Sequence, residues 1–273
     1  MDTDPVYKHY SDVASKGTKE ATALQTALKA GYTKEELASI PKEASLGLGC
    51  GNSVAAAELK EGEILLDLGC GAGMDLFLAG TRLGPKGKAI GVDFSEEMIK
   101  RGNEIAKKYN RDNVEFVHSS IEKMPFADGT FDVVISNCVL NLVPNKLNAF
   151  TEIFRILKPS GRFVVSDIIL RKPLPEELEK DVASIVGCVG RAVVEESYKK
   201  DLEHAGFTNV GVIDLNKDLN TLYNEAEEDK QPCGVGVSCC AGKDLKQKLP
   251  LDALRKYDLN EYAGSFIVKA VKN

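Results

Sequence analysis

An alternation of segment types constrains this chain more than any other feature. Glu63–Leu68, Lys88–Val92, Val114–Val117, Phe131–Ser136 and Arg162–Ile168 read as short apolar strands. Helix-patterned runs lie between them: Gly73–Leu83, Ser95–Lys108 with Ser95 as its cap, and Asn145–Leu157, stopped by Pro159 and Gly161. Strands alternating with helices predict a doubly wound parallel sheet covered on both faces. Continuously apolar runs such as FDVVIS suit strands buried on two sides. Later in the chain, Glu195–Ala205 is helical, and Asn209–Leu215 and Ser265–Val271 are strand-like, the last a closing strand.

The flanks divide the chain. Residues 1–54 read as a helical lobe, with Tyr32–Ile40 amphipathic and ended by Pro41. Residues 55–215 form the core, interrupted around 170–194 by an insertion that opens at Pro173 and Pro175. Residues 216–273 carry a Gly- and Cys-rich loop and the closing strand. A net charge of -6 argues against nucleic acid, whose phosphates reward a basic face. The Lys199–Lys200 pair fits a solvated helix face. No run is apolar enough for a membrane helix, and the N-terminus has no signal core. The expectation is a cytoplasmic protein with neither nucleic-acid nor membrane partners.

The loop Asp67-Leu68-Gly69-Cys70-Gly71-Ala72-Gly73 joins the first strand to a helix start, where backbone donors and the helix dipole favour a ligand. Asp93 ends the next strand and is placed to bind two ribose hydroxyls. A dinucleotide fingerprint would need its third glycine at position 74, which is Met74. Cys70 fits as a packing residue.

Seven cysteines, in a compartment expected to be reducing, should be mostly free thiols. Three of them sit in separate turns: Cys50 in GLGCGN, Cys138 in ISNCVLNLVPNK and Cys188 in IVGCVG. Thiolates suit soft metals and metalloids, and one thiol on each of three loops is what a trithiolate site needs. His9, His118 and His204 have no metal-ligand spacing.

From Glu63 to Leu215 the chain resembles the class I S-adenosylmethionine-dependent methyltransferases, through LLDLGCGAG, GVDFSEEMI, SSIEKMPFADGTFDVVIS and RILKPSGRFVVSD. That resemblance implies a seven-stranded sheet and S-adenosylmethionine as cofactor. It assigns Gly69 and Gly71 to the methionine end and Asp93 to the ribose, and counts Asp67 among the cofactor-binding residues. Met98 would pack near the adenine, bordered by Ser120, Ile121 and Glu122, and Asn137 would face the methyl-transfer zone. Ser120 stands where many members carry an acid.

Within that superfamily LGLGCGNS, ISNCVLNLVPNK and VGCVG resemble the arsenite methyltransferases. This implies that Cys50, Cys138 and Cys188 bind As(III), supplied free or as thiol adducts, and that thiols restore the arsenic between transfers, either an external reductant of the thioredoxin or glutathione type or protein cysteines. Cys233, Cys239 and Cys240 are candidate accessory thiols. Two other readings stay open. One is a methyltransferase for a carbon or oxygen acceptor such as a quinone or lipid, and the other a non-catalytic metalloid-binding protein.

Overall fold

The computed structural model describes residues 5–176, 178, 189, 191–220 and 256–273. Five N-terminal elements come first: α1 (Pro5–Lys16), α2 (Glu20–Ala30), α3 (Lys34–Ala38), a 3₁₀ turn (Lys42–Ala44) and α4 (Ser53–Ala56). The core follows as β1 (Ile64–Leu68), α5 (Met74–Leu83), β2 (Lys88–Asp93), α6 (Glu96–Lys108), β3 (Val114–His118) and β4 (Phe131–Asn137). A second 3₁₀ turn (Leu140–Leu142) leads into α7 (Lys146–Ile156) and β5 (Leu157–Leu170). The remaining described elements are α8 (Glu195–His204), β6 (Thr208–Asp214), α9 (Leu259–Tyr262) and β7 (Ala263–Val271).

The seven strands form one sheet in the order β3-β2-β1-β4-β5-β7-β6. Strands β1 to β5 pair in parallel, while β7 runs antiparallel to both β5 and β6. The expected parallel sheet therefore closes on an antiparallel strand, whose period-two pattern cannot announce its direction. From β1 the chain winds outward through β2 and β3, then returns to place β4 on the other side of β1. Ligands of open α/β sheets bind at such a reversal, beyond the carboxyl ends of the strands.

Apolar strands feed two cores because successive side chains point to opposite faces. Leu65, Val133, Ile135 and Val164 join the cluster under α5 and α6. Leu66, Leu68, Val134 and Val165 join the cluster under α7 and α8. Burying each such side chain is worth roughly 1.5–3 kcal/mol. The N-terminal elements build onto the first of these cores through Ala27, Tyr32, Ile40, Leu46 and Val54. Tyr32 ends ahead of α3, which is capped by a reciprocal Thr33–Glu36 box and is shorter than the amphipathic stretch predicted.

Two further boundaries differ from expectation. Helix α7 ends at Ile156, and β5 begins at once, because Leu157 pairs with Phe131. Pro159 and Gly161 thus lie inside the strand run, with Ser160 at φ 63° absorbing the irregularity. Asn137 is the last residue of β4 rather than the first beyond it. Ser95 caps α6 as predicted, accepting from the Met98 N–H at 3.3 Å. Lys199 and Lys200 are paired on the helix surface with Glu195 and Glu196. Among the described residues no helix is long and apolar enough to cross a membrane.

Candidate active site

The glycine loop folds back on β2 as soon as β1 ends. The N–H groups of Gly69 and Cys70 both donate to the Val92 carbonyl, at 2.8 and 3.0 Å. Gly69 takes φ 65°, and a side chain there would run into Val139. The residue after Cys138 is therefore packed directly on the loop after β1. The Gly71 N–H donates to the Asp93 carboxylate at 2.9 Å, while the other carboxylate oxygen accepts the Ser95 N–H at 2.9 Å. Cys70 is free and buried, and burial pushes its thiol well above the usual range.

An open cleft lies over this loop. Its floor is Asp67, Gly69 to Ala72, Met74, Asp75 and Asn137, and its roof comes from Ala44, Leu46, Leu48 and Gly49. Among the described residues no Lys or Arg lines it. Asp67 is only 3% exposed, and its carboxylate accepts no hydrogen bond from any described residue. Burial pushes its carboxyl well up, and the nearby carboxyls of Asp75 and Asp93 push it further. Burial also raises Asp75 and Asp93, against the pull of their hydrogen-bond donors. Two buried acids in the cleft and a third beside it, one carboxylate without donors and no Lys or Arg among the described lining residues, suit a cationic ligand that brings N–H groups of its own.

The other predicted cofactor contacts are grouped near Asp93. The Ser119 N–H donates to the Asp93 carbonyl at 3.0 Å, which sets the turn after β3 beside it. Ser120 Oγ accepts the Glu122 N–H at 3.3 Å, and Glu122 is half-buried. Ile121 instead points into the apolar cluster with Leu66, Leu68 and Val92. Met98 is 1% exposed, beneath Gly71.

Asn137 joins this cleft to the cysteines. Its Oδ1 accepts the Cys50 N–H at 3.0 Å, and its Nδ2 faces Gly51 O at 2.7 Å, Tyr32 Oη at 3.1 Å and Asp75 Oδ2 at 3.2 Å. Tyr32 Oη donates a short hydrogen bond to Asp75 Oδ1, and Ser53 Oγ donates to Asp75 Oδ2 at 3.3 Å. Burial and the adjoining carboxyls raise the Tyr32 hydroxyl well above its ordinary range, so it remains a donor.

Cys50 and Cys138, separated by 88 residues in the chain, meet as a disulfide with Cα atoms 6.1 Å apart. This corrects the expectation that both are free thiols. The cause is the fold of the 46–52 loop, which Asn137 draws back onto the end of β4. Cys138 sits at φ 59°, and its N–H donates to Ser166 O at 2.8 Å. Below it, Asn141 Nδ2 donates to Asp167 Oδ1 and Ile168 O, at 2.9 and 2.7 Å. Asp167 is fully buried and burial pushes its carboxyl to about 7. Asn141 Oδ1 is buried with no hydrogen-bond partner among the described residues, and the buried Tyr198 hydroxyl lies beside the Asp167 carboxyl.

Cys188 lies outside the described residues, as do Cys233, Cys239 and Cys240. Val189, next to Cys188 in sequence, is fully buried in a cluster with Ile168, Leu170 and Leu178, against which Cys50 packs. Among the described residues no group of three or more His, Cys, Asp and Glu side chains could hold a metal ion.

Sequence reasoning passed over Tyr32, Asp75, Ser166, Lys217 and Ser265. Of these only Asp75 left a trace, as an acid in the first turn of the helix after the glycine loop. Lys217 Nζ donates to Ala30 O and Cys50 O, both at 2.8 Å, and burial pulls its ammonium down to about 8.

The methyltransferase-domain family matches residues 59–227. An arsenite methyltransferase of Halobacterium salinarum is 41% identical over 203 residues, 74% of this chain and 52% of that protein. An arsenite methyltransferase of Aquipseudomonas alcaligenes is 32% identical over 220 residues, 77% of this chain and 61% of that protein. The chain thus spans little more than half the length of these relatives. A crystal structure of an arsenic(III) S-adenosylmethionine methyltransferase from Chlamydomonas reinhardtii superposes with a TM-score of 0.59 at 24% identity, covering 92% of this chain and 73% of that one. At that identity the likeness is one of fold.

Proposed function

Because this chain belongs to the methyltransferase-domain family, we propose that it methylates trivalent arsenic held by its own cysteine thiolates, with S-adenosylmethionine as methyl donor. The observation that carries the reading is the meeting of Cys50 and Cys138 beside Asn137, which also lines the acidic cleft. The named relatives that are arsenite methyltransferases support it. The third thiol in this reading is Cys188, one peptide bond from Val189.

The cleft suits the cofactor. Asp67 and Asp75 would face its cationic, amine-bearing end, Gly69 and Gly71 would let the backbone approach, and Asp93 would take the ribose hydroxyls. Met98, Ser120, Ile121 and Glu122 would surround the adenine, Ile121 through its backbone. When bound, S-adenosylmethionine supplies an electrophilic methyl group on a cationic sulfur.

The residues of the chain do the rest. Each thiol that binds arsenous acid gives its proton to an arsenic-bound hydroxyl, which leaves as water, so three thiols release three waters. Arsenic keeps an unshared pair, and no general base is needed. Catalysis is then chiefly positioning, an effect that can supply roughly 7–11 kcal/mol. Accepting the methyl group raises the formal oxidation state of arsenic by two. Two thiols can return those electrons by joining as a disulfide, and the Cys50–Cys138 bond is the oxidised form such a step would leave. A thiol reductant of the thioredoxin or glutathione type, in a reducing cytoplasm, would reopen it. Cys233, Cys239 and Cys240 are candidates to relay that exchange.

The test is incubation of reduced protein with arsenite, S-adenosylmethionine and glutathione, followed by chromatographic detection of methylated arsenicals. Wild type should yield them, and Cys138→Ser should lose at least about 100-fold in rate, since positioning carries the reaction. No methylated arsenical from reduced wild type sinks the proposal. A methyl-transfer activity toward a quinone that survives Cys138→Ser would instead establish the carbon- or oxygen-acceptor reading. Arsenic binding without cofactor binding would leave only metalloid sequestration.

A further inference from the structure

Cys50 belongs to a loop with no regular hydrogen bonding of its own, so its position rests on side chains from elsewhere. Its N–H is held by Asn137 of β4. Its carbonyl accepts two donors, Lys217 Nζ at 2.8 Å and Ser265 Oγ of β7 at 2.9 Å. Lys217 lies just beyond β6, and the Leu215 N–H donates to Ser265 O at 2.9 Å, so both donors to the Cys50 carbonyl are fixed to the same antiparallel edge. The next residue, Gly51, lies so close to that edge that a Cβ would run into the Ser166 side chain and meet Leu215.

Lys217 also reaches the carbonyl of Ala30, the last residue of α2. Terminal carbonyls of a helix lack intrahelical partners and carry the negative end of its dipole, so an ammonium is well matched to them. A single cation therefore ties the end of α2 to Cys50, and it forms no ion pair with a carboxylate among the described residues. A surface lysine gains little from such a geometry, whereas a residue that must hold one carbonyl in place needs it.

We propose that Lys217 is a positioning residue for the acceptor site, clamping Cys50 between the end of α2 and the β6–β7 edge so that its sulfur is presented to Cys138. Its relevance to arsenic rests on the function proposed above; its effect on the two thiols does not. Lys217 touches neither substrate nor cofactor in this role. It acts through the Cys50 backbone, and the quantity it controls is how often the two sulfurs meet.

The measurement is the equilibrium of full-length protein with reduced and oxidised glutathione, with the 50–138 linkage quantified by peptide mass spectrometry after alkylation. In that exchange two protein thiols are oxidised to one disulfide, and one glutathione disulfide is reduced to two thiols. The equilibrium constant reports the effective concentration of one thiol at the other. Lys217→Met should lower it by about tenfold or more, with the unfolding midpoint of the reduced protein unchanged. Lys217→Arg, whose fork can serve both carbonyls, should stay within about twofold of wild type. Ser265→Ala, which removes the second anchor, should fall between them. In methylation assays Lys217→Met should raise KM for arsenite far more than it lowers kcat. Should Lys217→Met fail to fold, Lys217→Gln carries the same disulfide readout. An unchanged constant in the folded variant overturns the proposal. Wild type inactive on arsenite would remove the arsenic reading while leaving the clamp to be judged by the disulfide equilibrium.

Discussion

The acidic cleft and the cysteine corner adjoin, yet they are built in opposite ways. The floor of the cleft comes mostly from a single strand–loop–helix passage, Asp67 to Asp75, joined by Asn137 and braced by Asp93 of the next strand. Its backbone bonds run between neighbouring strands, and its conformation is dictated by glycines. The cysteine corner draws on Tyr32, Cys50, Asn137, Ser166, Lys217 and Ser265, held mostly by side-chain hydrogen bonds that cross the whole chain. A site made locally is as stable as its loop. A site made from remote segments depends on each tie between them, and this one has few.

The largest expected effect follows from cutting the main tie. Asn137→Leu removes the acceptor for the Cys50 N–H and the donor to Gly51 and Asp75, leaving buried groups unpaired. The expected cost is about 2–4 kcal/mol of unfolding free energy, measured by urea titration. Exchange protection should be lost first across residues 46–52, with the β1–α5 loop retained. Uniform loss over both regions would erase the contrast drawn between them.

A second test addresses the floor of the cysteine corner. Folding holds the Asp167 carboxyl at about 7, above its ordinary value of 3.8. Between those values the folded protein keeps a proton that the unfolded chain has released. Stability therefore falls as pH rises through that window and levels off above it. Asp67, Asp75 and Asp93 are also raised and act in the same direction. Asp167→Asn should remove about 2–4 kcal/mol of this pH-dependent loss between pH 4 and 7, read as the difference between wild-type and variant denaturation curves. Parallel curves would mean that Asp167 is ionised when folded.

The smallest effect belongs to the cleft. A cationic cofactor favours the ionised form of Asp67, so binding must expel whatever proton burial keeps there. Affinity should then tighten with rising pH, and calorimetry in buffers of different ionisation enthalpy should detect proton release. Asp67→Asn should weaken binding by roughly tenfold, the effect of losing one charged partner, and flatten this dependence. An Asn variant with an unchanged pH slope would move the titration to Asp75 or Asp93.

Much of the fold was legible because each core strand and helix carries its own periodicity and its own stop. Ser95 announced a cap and became one, and the five parallel strands lie within a few residues of their expected places. The start of β5 was misjudged because Pro159 and Gly161 read locally as a turn, whereas pairing of Leu157 with Phe131 keeps that stretch in the sheet. The direction of β7 was hidden for a related reason. Alternation marks a strand equally in either sense, and only the neighbours of β7 determine its direction.

By itself the amino-acid order determined the sheet, the glycine loop with its acids, and the cysteines worth watching, since each is a property of a short contiguous stretch. Tertiary structure alone decided that Cys50 and Cys138 are partners, that Tyr32 and Asn137 share Asp75, and that Lys217 reaches back to the end of α2. Those contacts join residues from 43 to 187 positions apart. A hydrogen bond at that separation imposes no spacing on the sequence around either partner. It exists only once two faces of the sheet have been packed and the strand ends brought to one edge.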